Sequence, residues 1–220
     1  MHESTPSPAD YVSRILAAVA DYRIDHYERL AAEARAHLAP EVLVRDLFGP
    51  LLRAAGDHWE AGRLSVVQEH LLTATVRRQL AHVLDTRNRG AAGPRLAFTT
   101  LSGERHEVGS LMLAVLAASR GFNAVYLGPD LPCTEIGRFC GRVNVAVVAI
   151  SIVTSPEVID AAGQLGELRS VLPAASQIWL GGQAAALLQP AQLPANSILV
   201  LDLADFYARL AALPHHSPQP

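Results

Sequence analysis

The hydrophobic pattern of this chain changes its period near residue 90, and that change constrains the fold more than any other feature. In residues 9–88, apolar side chains recur at helical spacing among Ala, Leu, Arg and Glu. From Arg95 onward, short and nearly continuous apolar runs alternate with helical stretches. The segment NRGAAGP at 88–94 is rich in glycine and small residues, which do not sustain a helix. We therefore expect two domains, at 9–88 and 94–212, joined by this linker.

The first domain is predicted to be a four-helix bundle. Helical periodicity indicates helices at about 9–21, 24–38, 41–57 and 64–87. Pro40 stands in the first turn of the third helix, where proline is favoured. Four helices with short connections are typical of an up-down bundle.

The second domain is predicted to be α/β, with a flavodoxin-like (Rossmann-like) doubly wound five-stranded parallel sheet. Nearly continuous apolar strands indicate a parallel sheet that is covered on both faces. Helical stretches are expected between the strands, and DFYARLAAL is expected to form the closing helix. The tail HHSPQP is expected to be disordered. The predicted strands are RLAFTTL (95–101), NAVYLG (123–128), VAVVAISI (145–152), QIWLGG (177–182) and SILVLDL (197–203).

Composition argues against several classes of protein. The net charge of -3 and the pI near 6.3 do not suggest a nucleic-acid surface. No signal-peptide pattern is present, and no apolar run reaches the roughly 18 residues that span a bilayer. Cys133 and Cys140 do not have CxxC spacing and are interpreted as buried thiols. We expect a soluble cytoplasmic protein without direct nucleic-acid or membrane contact, and with no room for a helix-turn-helix before the bundle.

The loop after the first strand carries the strongest candidate for chemistry. Ligands of open α/β sheets bind beyond the carboxyl ends of the strands, and this strand is followed by SGERHEVGS. Glu104 is two residues before His106, so its carboxylate could accept a hydrogen bond from one imidazole nitrogen and leave the other free for a metal. Gly103 and Gly109 permit a tight path and a close approach. The alternative is a polar loop with a solvated histidine.

These residues resemble a known family. Residues 104–109, ERHEVG, are similar to the histidine motif of cobalamin-binding domains of the base-off, His-on type. LGPDLP (127–132) resembles that family's second-strand turn, Ser151-Ile152-Val153 its SxL or SxT element, and Gly181-Gly182 its GG element. The four matches occur in order at the ends of successive strands, and the resemblance covers about residues 94–210. Taken singly, Ser151 would be a helix cap and the glycine pair a plain turn.

The resemblance implies a set of cofactor-binding residues. His106 would be the lower ligand of the cobalt. The family's displaced nucleotide tail would run between the matched loops, where glycines admit it and a serine can bond the displaced base. The implied cofactor-binding positions in this half are Glu104, Arg105, His106, Glu107, Gly109, Ser151, Val153, Gly181 and Gly182.

The helical half contains a second pattern, in which Trp59 is followed after nine residues by Glu69-His70. Helical spacing places Leu64, Val67, Leu71 and Ala74 on one apolar stripe. Glu69 falls on a broader apolar face with Val66, Val76, Leu80 and Val83. There it needs a partner, either a polar ligand or an arginine such as Arg53 or Arg63. Trp59 could be a core residue or could pack against a flat macrocycle.

This W-x9-EH pattern resembles light-sensing cobalamin regulators of the CarH type. In that family the bundle caps the upper face of adenosylcobalamin, so Trp59, Val66, Glu69 and His70 would line the adenosyl pocket. Two departures stand out: no DNA-binding domain is seen, and Glu60 occupies the position where the best-known members have a histidine that becomes the upper ligand after light. His58 or His70 would then be the candidate for that role.

The resemblance favours a photosensor over an enzyme. Breakage of the Co–C bond by light would change the contacts of Trp59 and Glu69, and the signal would pass through a homo-oligomer, dimer or larger, or through a separate regulator or effector protein. Some relatives, the photocobilins, also bind a bilin such as biliverdin, which makes a bilin a second candidate cofactor. The alternatives are a corrinoid carrier for a methyltransferase system and a cobalamin store. A mutase subunit would need a substrate barrel.

Overall fold

The computed structural model describes residues 6–214 of the chain. It divides into two compact units, Met1–Thr86 and Arg87–Pro220. The tail at 215–220, which the sequence predicts to be disordered, lies outside the described residues.

The first unit is helical. Its helices are α1 (Pro8–Ala20), α2 (Ile24–His37), α3 (Pro40–Val42), α4 (Gly49–Glu60) and α5 (Val66–Asn88), with π-helical Leu43–Phe48 between α3 and α4. The last two residues of α5 belong to the second unit. Because α3, the π segment and α4 follow one another without a break, they correspond to the single third helix that periodicity predicts. Throughout residues 6–214, no helix is both long and apolar enough to cross a membrane.

The π-helical turn before α4 was not predicted, and Pro50 accounts for it. Proline has no N–H to donate, and its ring collides with the carbonyl four residues earlier in a regular α-helix. Here the Gly49 N–H bonds to Val44 O, five residues back, which widens the turn just before Pro50. A Cβ on Gly49 would lie 2.9 Å from that same carbonyl oxygen, so only glycine fits without a shift.

The second unit is a five-stranded parallel sheet in the order β2-β1-β3-β4-β5. This is the flavodoxin-like order of a doubly wound fold, as the sequence predicts. The connecting helices are α6 (Val108–Ala118), α7 (Cys133–Val143), α8 (Ala161–Val171) and α9 (Leu203–Ala212). The strands are β1 (Arg95–Leu101), β2 (Asn123–Leu131), β3 (Val147–Ser151), β4 (Gln177–Gly181) and β5 (Ser197–Leu199).

The core of this unit lies around the central strands. Residues 96–101 of β1 and all of β3 are buried, which matches their continuous apolar sequence. Both cysteines are free and buried, as expected. Burial raises the pKa of the Cys133 thiol to about 11 and that of Cys140 to about 12. Both therefore remain protonated and unreactive at neutral pH.

Two details of the last third of the chain differ from the sequence prediction. The strand expected at 197–203 has only three residues, because Asp202 caps α9 and accepts a hydrogen bond from Asp205 N at 2.8 Å. The helix expected between β4 and β5 is replaced by two 3-10 turns, Ala185–Leu187 and Pro190–Gln192. Pro190 and Pro194 supply no N–H donors there, which disfavours a continuous α-helix.

Candidate ligand-binding site

The predicted site residues of the sheet unit meet at one edge of the sheet. β1 and β4 both pair with β3, so the loops that follow these three parallel strands are neighbours at their carboxyl ends. The loop after β1 carries His106, and β3 and β4 end at Ser151 and Gly181. The tertiary fold thus collects three sequence elements that are far apart along the chain.

Glu104 is the hub of this edge, and its side chain is fully buried. One carboxylate oxygen, Oε1, accepts hydrogen bonds from His106 N at 2.9 Å and from the Thr154 hydroxyl at 3.2 Å. The other, Oε2, accepts from Val153 N at 2.8 Å and Thr154 N at 2.6 Å. The carboxylate therefore ties the loop after β1 to the loop after β3.

These bonds decide the charge of Glu104. Burial by itself would raise the pKa of a carboxyl group, because the charged form loses its hydration. The N–H groups of Thr154, His106 and Val153, together with the His106 ring, more than offset burial and lower the pKa of Glu104 to about 2. Glu104 is thus a buried anion at neutral pH, stabilised by donors that point at it.

His106 is held by one ring nitrogen and open at the other. Its Nδ1 lies 2.6 Å from Glu104 Oε1. Since an ionised carboxylate can only accept, Nδ1 must be the donor, and the neutral ring then carries its lone pair on Nε2. The side chain is 64% exposed. An imidazole fixed in this tautomer by a carboxylate is the usual arrangement of a metal-binding histidine.

The other loop positions have distinct surroundings. Glu107 accepts a hydrogen bond from the Tyr126 hydroxyl on β2. The Arg105 side chain is 85% exposed, and its Nε lies 3.8 Å from Asp130 Oδ2. A Cβ on Gly109 would come within 3.5 Å of the Ser151 hydroxyl, so the absence of a side chain there leaves room beside Ser151.

The glycine pair after β4 is required by the backbone. Gly182 has φ +97°, and a Cβ there would lie 2.3 Å from Ile152 O. Gly181 O accepts from Ile152 N at 2.8 Å, which joins this turn to the residue after Ser151. Ser151 is the last residue of β3, so the alternative that it caps a helix is wrong.

In the helical unit, the residues of the W-x9-EH pattern are too exposed to belong to the core. Trp59 is 48% exposed, so the core alternative for this residue is wrong. Val66 and Val67, which periodicity places on apolar faces, are 53% and 59% exposed, whereas Val76, Leu80 and Val83 are buried as expected. An apolar surface near the start of α5 is therefore not covered within this unit.

Glu69 has a different partner from the arginines that the sequence suggests. Its Oε2 lies 2.8 Å from His70 Nδ1, and its Oε1 accepts from the Thr73 hydroxyl at 2.6 Å. Of the two alternatives for Glu69, a polar ligand or an arginine of the bundle, the arginine is therefore replaced by local contacts along α5. His70 is 73% exposed, and His58 lies near the end of α4, partly buried, beside Trp59.

Gln68 fixes the first turn of α5. Its Oε1 accepts from Ser65 N at 2.8 Å, and the Ser65 hydroxyl accepts from Gln68 N at 3.3 Å, which together form a capping box. The buried Gln68 amide also donates to Val19 O at 3.1 Å and Ala20 O at 2.9 Å at the end of α1. The first turn of α5, which contains Glu69 and His70, is thus hydrogen-bonded to the end of α1.

Sequence reasoning missed two polar residues of this edge. Thr154 directly follows the matched Ser-Ile-Val element, and a hydroxyl just beyond a strand was a usable signal. Tyr126 lies within β2, and only the folded arrangement shows that it reaches Glu107.

Three comparisons place the chain among known proteins. Residues 11–84 match the family described as B12 binding domain. The HTH-type transcriptional repressor CarH of Myxococcus xanthus is 30% identical over 185 residues, covering 83% of this chain and 61% of CarH. The HTH-type transcriptional repressor CarA of the same organism is 32% identical over 140 residues, covering 64% of this chain and 47% of CarA. The chain therefore spans less than two thirds of either repressor.

Corrinoid proteins are also similar. The dimethylamine corrinoid protein of Methanosarcina barkeri is 20% identical over 148 residues, which are 66% of this chain and 70% of that protein. The solved structure of the monomethylamine corrinoid protein of Methanosarcina barkeri superposes with a TM-score of 0.68 at 15% identity, covering 90% of this chain and 96% of that one. At this level of identity the structural likeness concerns the fold.

Proposed function

We propose that this chain, whose residues 11–84 match the B12 binding domain family, is a cobalamin-dependent light sensor rather than an enzyme. His106 would be the lower ligand of the cobalt. Residues of the helical unit would contact the upper, adenosyl group.

The observation that carries the proposal is the pairing of His106 with the buried Glu104. The donor set fits a cobalt corrinoid, because one neutral imidazole nitrogen is free while the other is bonded to a carboxylate at 2.6 Å. Gly109 and Gly181 have no side chains next to the same loops, which favours close approach of a large ligand, and Gly182 forms the tight turn beside them. Ser151 would be available to bond the nucleotide tail, and Arg105 and Glu107 would flank the ligand histidine.

The helical unit supports adenosyl as the upper group. Trp59 and Val66 expose apolar surface, and Glu69 and His70 offer polar atoms on the adjacent turn of α5. A nucleoside has a flat base and a ribose with hydroxyls, which suit an indole face and a carboxylate respectively. Bound adenosylcobalamin would supply a visible chromophore and a light-labile cobalt–carbon bond. His58 or His70 would be the residue available as upper ligand after illumination.

The output is proposed to be a change in assembly or in partner binding. Trp59 and Glu69 would have one set of contacts in the dark and another after light, which is the differential interaction that a switch needs. The similarity to CarH and CarA, both named as transcriptional repressors, supports a regulatory role. We propose a homo-oligomer, a dimer or larger, together with a separate regulator or effector protein, in the cytoplasm.

The decisive experiment compares dark and illuminated protein. Purified protein is mixed with adenosylcobalamin in the dark, and its absorbance spectrum and molecular mass are recorded before and after green light. A spectral change together with a change in mass or hydrodynamic radius supports the sensor. The final spectrum also reports whether a second histidine becomes a ligand. Binding with no light-driven change in mass, shape or partner affinity would contradict the sensor.

A corrinoid carrier for a methyltransferase system is the second candidate. It is favoured by the 20% identity to a dimethylamine corrinoid protein and by the shared fold. Competition between adenosylcobalamin and methylcobalamin for the purified protein distinguishes the two functions. A sensor should prefer adenosylcobalamin, and a carrier should prefer methylcobalamin. A cobalamin store would change its spectrum in light but neither its mass nor its partners.

A further inference from the structure

A single peptide unit at the start of the His106 loop is held from both sides. The Ser102 carbonyl accepts a hydrogen bond from Gln164 Nε2 on α8 at 3.0 Å. The N–H of Gly103, which belongs to the same peptide unit, donates to Asp130 Oδ1 on β2 at 2.7 Å. Rotation of this peptide plane would therefore break bonds to two different elements.

Gln164 is well placed for this role because both the oxygen and the nitrogen of its amide are hydrogen-bonded. Besides the bond to the Ser102 carbonyl, its Oε1 accepts from Ser102 N at 2.9 Å and its Nε2 also donates to Ile159 O at 2.5 Å. The side chain thus pairs with both backbone groups of Ser102, much as a neighbouring strand would. It extends the hydrogen bonding of β1 by one residue after the strand has ended at Leu101.

Asp130 reaches the loop because β2 is irregular at that point. Pairing with β1 is regular up to Phe98 and Tyr126, but Thr99 pairs with Gly128 and Leu101 with Leu131, so β2 contains extra residues. Asp130 itself has φ +60°, a left-handed conformation that is uncommon for residues other than glycine. Bulges of this kind often redirect a side chain next to a functional site.

The same bulge also holds the next residue of the loop. Asp130 N donates to the Thr100 hydroxyl at 2.9 Å, and that hydroxyl donates to Glu104 O at 2.5 Å. The residues before His106 are therefore bonded in turn to α8, β2 and β1, while the carboxylate of Glu104 is bonded to residues 153–154.

We infer that Gln164 and Asp130 are positioning residues for the lower ligand, which fix the Ser102–Gly103 peptide so that His106 is preset before cobalamin binds. This inference rests on the proposed function for the role of His106. It assigns to α8 and to the β2 bulge a part in cofactor affinity, although neither residue needs to contact the cofactor.

The variants are chosen to separate hydrogen bonding from backbone strain. Asp130→Gly removes the carboxylate but tolerates the positive φ, and Asp130→Asn keeps an acceptor oxygen in a residue that also tolerates this conformation. Gln164→Leu removes all three amide bonds. Asn196→Gly is the matched control for the first variant, because Asn196 has φ +59° and bonds Ser176 O at 3.0 Å just before β5, at the opposite edge of the sheet. Gln192→Leu, at an exposed 3-10 turn, controls for the second.

Two readouts are measured on the full chain. In the protein without cofactor, amide hydrogen exchange of residues 103–107 should become about tenfold faster in Asp130→Gly and Gln164→Leu, since each loses bonds to this loop. With hydroxocobalamin, the dissociation constant of these two variants should rise about 10- to 100-fold. After reduction to the Co(II) form in ¹⁵N-histidine-labelled protein, they should show less histidine-coupled electron paramagnetic resonance signal. Asp130→Asn and both controls should resemble the wild type.

Different failures have different meanings. Unchanged loop exchange and an unchanged histidine-coupled signal in both Asp130→Gly and Gln164→Leu, with wild-type binding intact, would overturn the positioning role and leave the proposed function standing. If Asn196→Gly showed the same faster loop exchange and the same weaker cobalamin binding, the cause would be a general weakening of the domain. That result would also overturn the positioning role. A wild-type protein that binds cobalamin without coupling to His106 would overturn both this inference and the proposed function.

Discussion

Glu104 illustrates how a single buried carboxylate can organise a site. An ion removed from water is unfavourable unless donors replace its hydration. Four donors from residues 106, 153 and 154, at 2.6–2.9 Å, do so here, and the Thr154 hydroxyl adds a fifth at 3.2 Å. Glu104, which is hydrogen-bonded to the proposed ligand, is thus an anion at neutral pH that links two loops and also sets the tautomer of His106.

Glu104→Gln should make the stability of the cofactor-free protein less dependent on acid pH. The pKa of Glu104 is about 2 in the folded state against 4.5 ordinarily. Its charge therefore stabilises the fold above about pH 4.5, and this contribution is lost as the pH falls from there toward 2. The pH-dependent part of the difference between wild type and variant should be about 3 kcal/mol, measured by urea unfolding across that range. Glu167→Gln, at an exposed position on α8, should change stability by no more than about 0.5 kcal/mol. A pH-independent difference for Glu104→Gln would refute the assignment.

His106→Ala should weaken cobalamin binding and remove the histidine signature from the spectrum of any cofactor that still binds. The reason is that no other side chain of the loop is held by Glu104 with a free ring nitrogen. We expect a loss of affinity of about tenfold or more, measured by titration under absorbance. His82→Ala, at an exposed position of α5, is the control. Unchanged affinity and spectrum would sink the lower-ligand assignment.

At the scale of elements, the turns after the strands hold the residues of the site, and their backbone geometry tolerates few substitutions. Ile152 N donates to Gly181 O at 2.8 Å, so the loops after β3 and β4 are joined. Gly182 has a left-handed backbone and packs directly against the Ile152 backbone. A substitution there acts on both loops at once.

Gly182→Ala should destabilise the sheet unit. Its Cβ would lie 2.3 Å from Ile152 O at a φ of +97°, so the two loops would have to separate. We expect a loss of about 1–3 kcal/mol in the free energy of unfolding, together with weaker cobalamin binding. Gly166→Ala is the matched control, because nothing lies within 4 Å of its Cβ in the middle of α8. That change should be neutral or stabilising by up to about 1 kcal/mol. Equal stability of both variants would contradict the steric argument.

At the scale of the whole molecule, the two compact units divide the proposed work. The sheet unit holds His106 and its partners, and the helical unit holds Trp59, Glu69 and His70. Each unit has its own buried core. The proposed lower ligand and the proposed selectivity for adenosyl should therefore be separable.

A fragment of residues 87–220 should fold and bind cobalamin through His106 without preferring the adenosyl form. All five strands and their hydrogen bonds lie within it. Thermal unfolding followed by circular dichroism would test the folding, and competition between adenosylcobalamin and hydroxocobalamin would test the preference. In the full chain, Trp59→Ala should abolish the preference in the same way. Equal competition by both forms in the wild type would refute the adenosyl pocket.

Much of this organisation could be predicted from the sequence. The switch of hydrophobic period predicted a helical part followed by an α/β part, because a helix with one buried face repeats its apolar residues every 3.6 positions, whereas a strand covered on both faces is apolar throughout. The ExH spacing gave the bond between Glu104 and His106, because that contact is local in sequence. The length of β5 and the turns after β4 were predicted wrongly from apolar content. The helix cap at Asp202 ends the extended segment early, and the prolines at 190 and 194 disfavour an α-helix.

By itself, the sequence predicted most of the helices and strands, the flavodoxin-like parallel sheet and the candidate ligand His106, all of which depend on local spacing and on burial patterns. Only the tertiary structure decided which residues complete the site. Thr154 reaches Glu104 across 50 positions, and Asp130 reaches Gly103 across 27. Exposure of Trp59 and Val66 was likewise decided by packing. The physical reason is that a hydrogen bond depends on position in space, and loops that are remote in the chain become neighbours only when parallel strands bring their carboxyl ends to one edge.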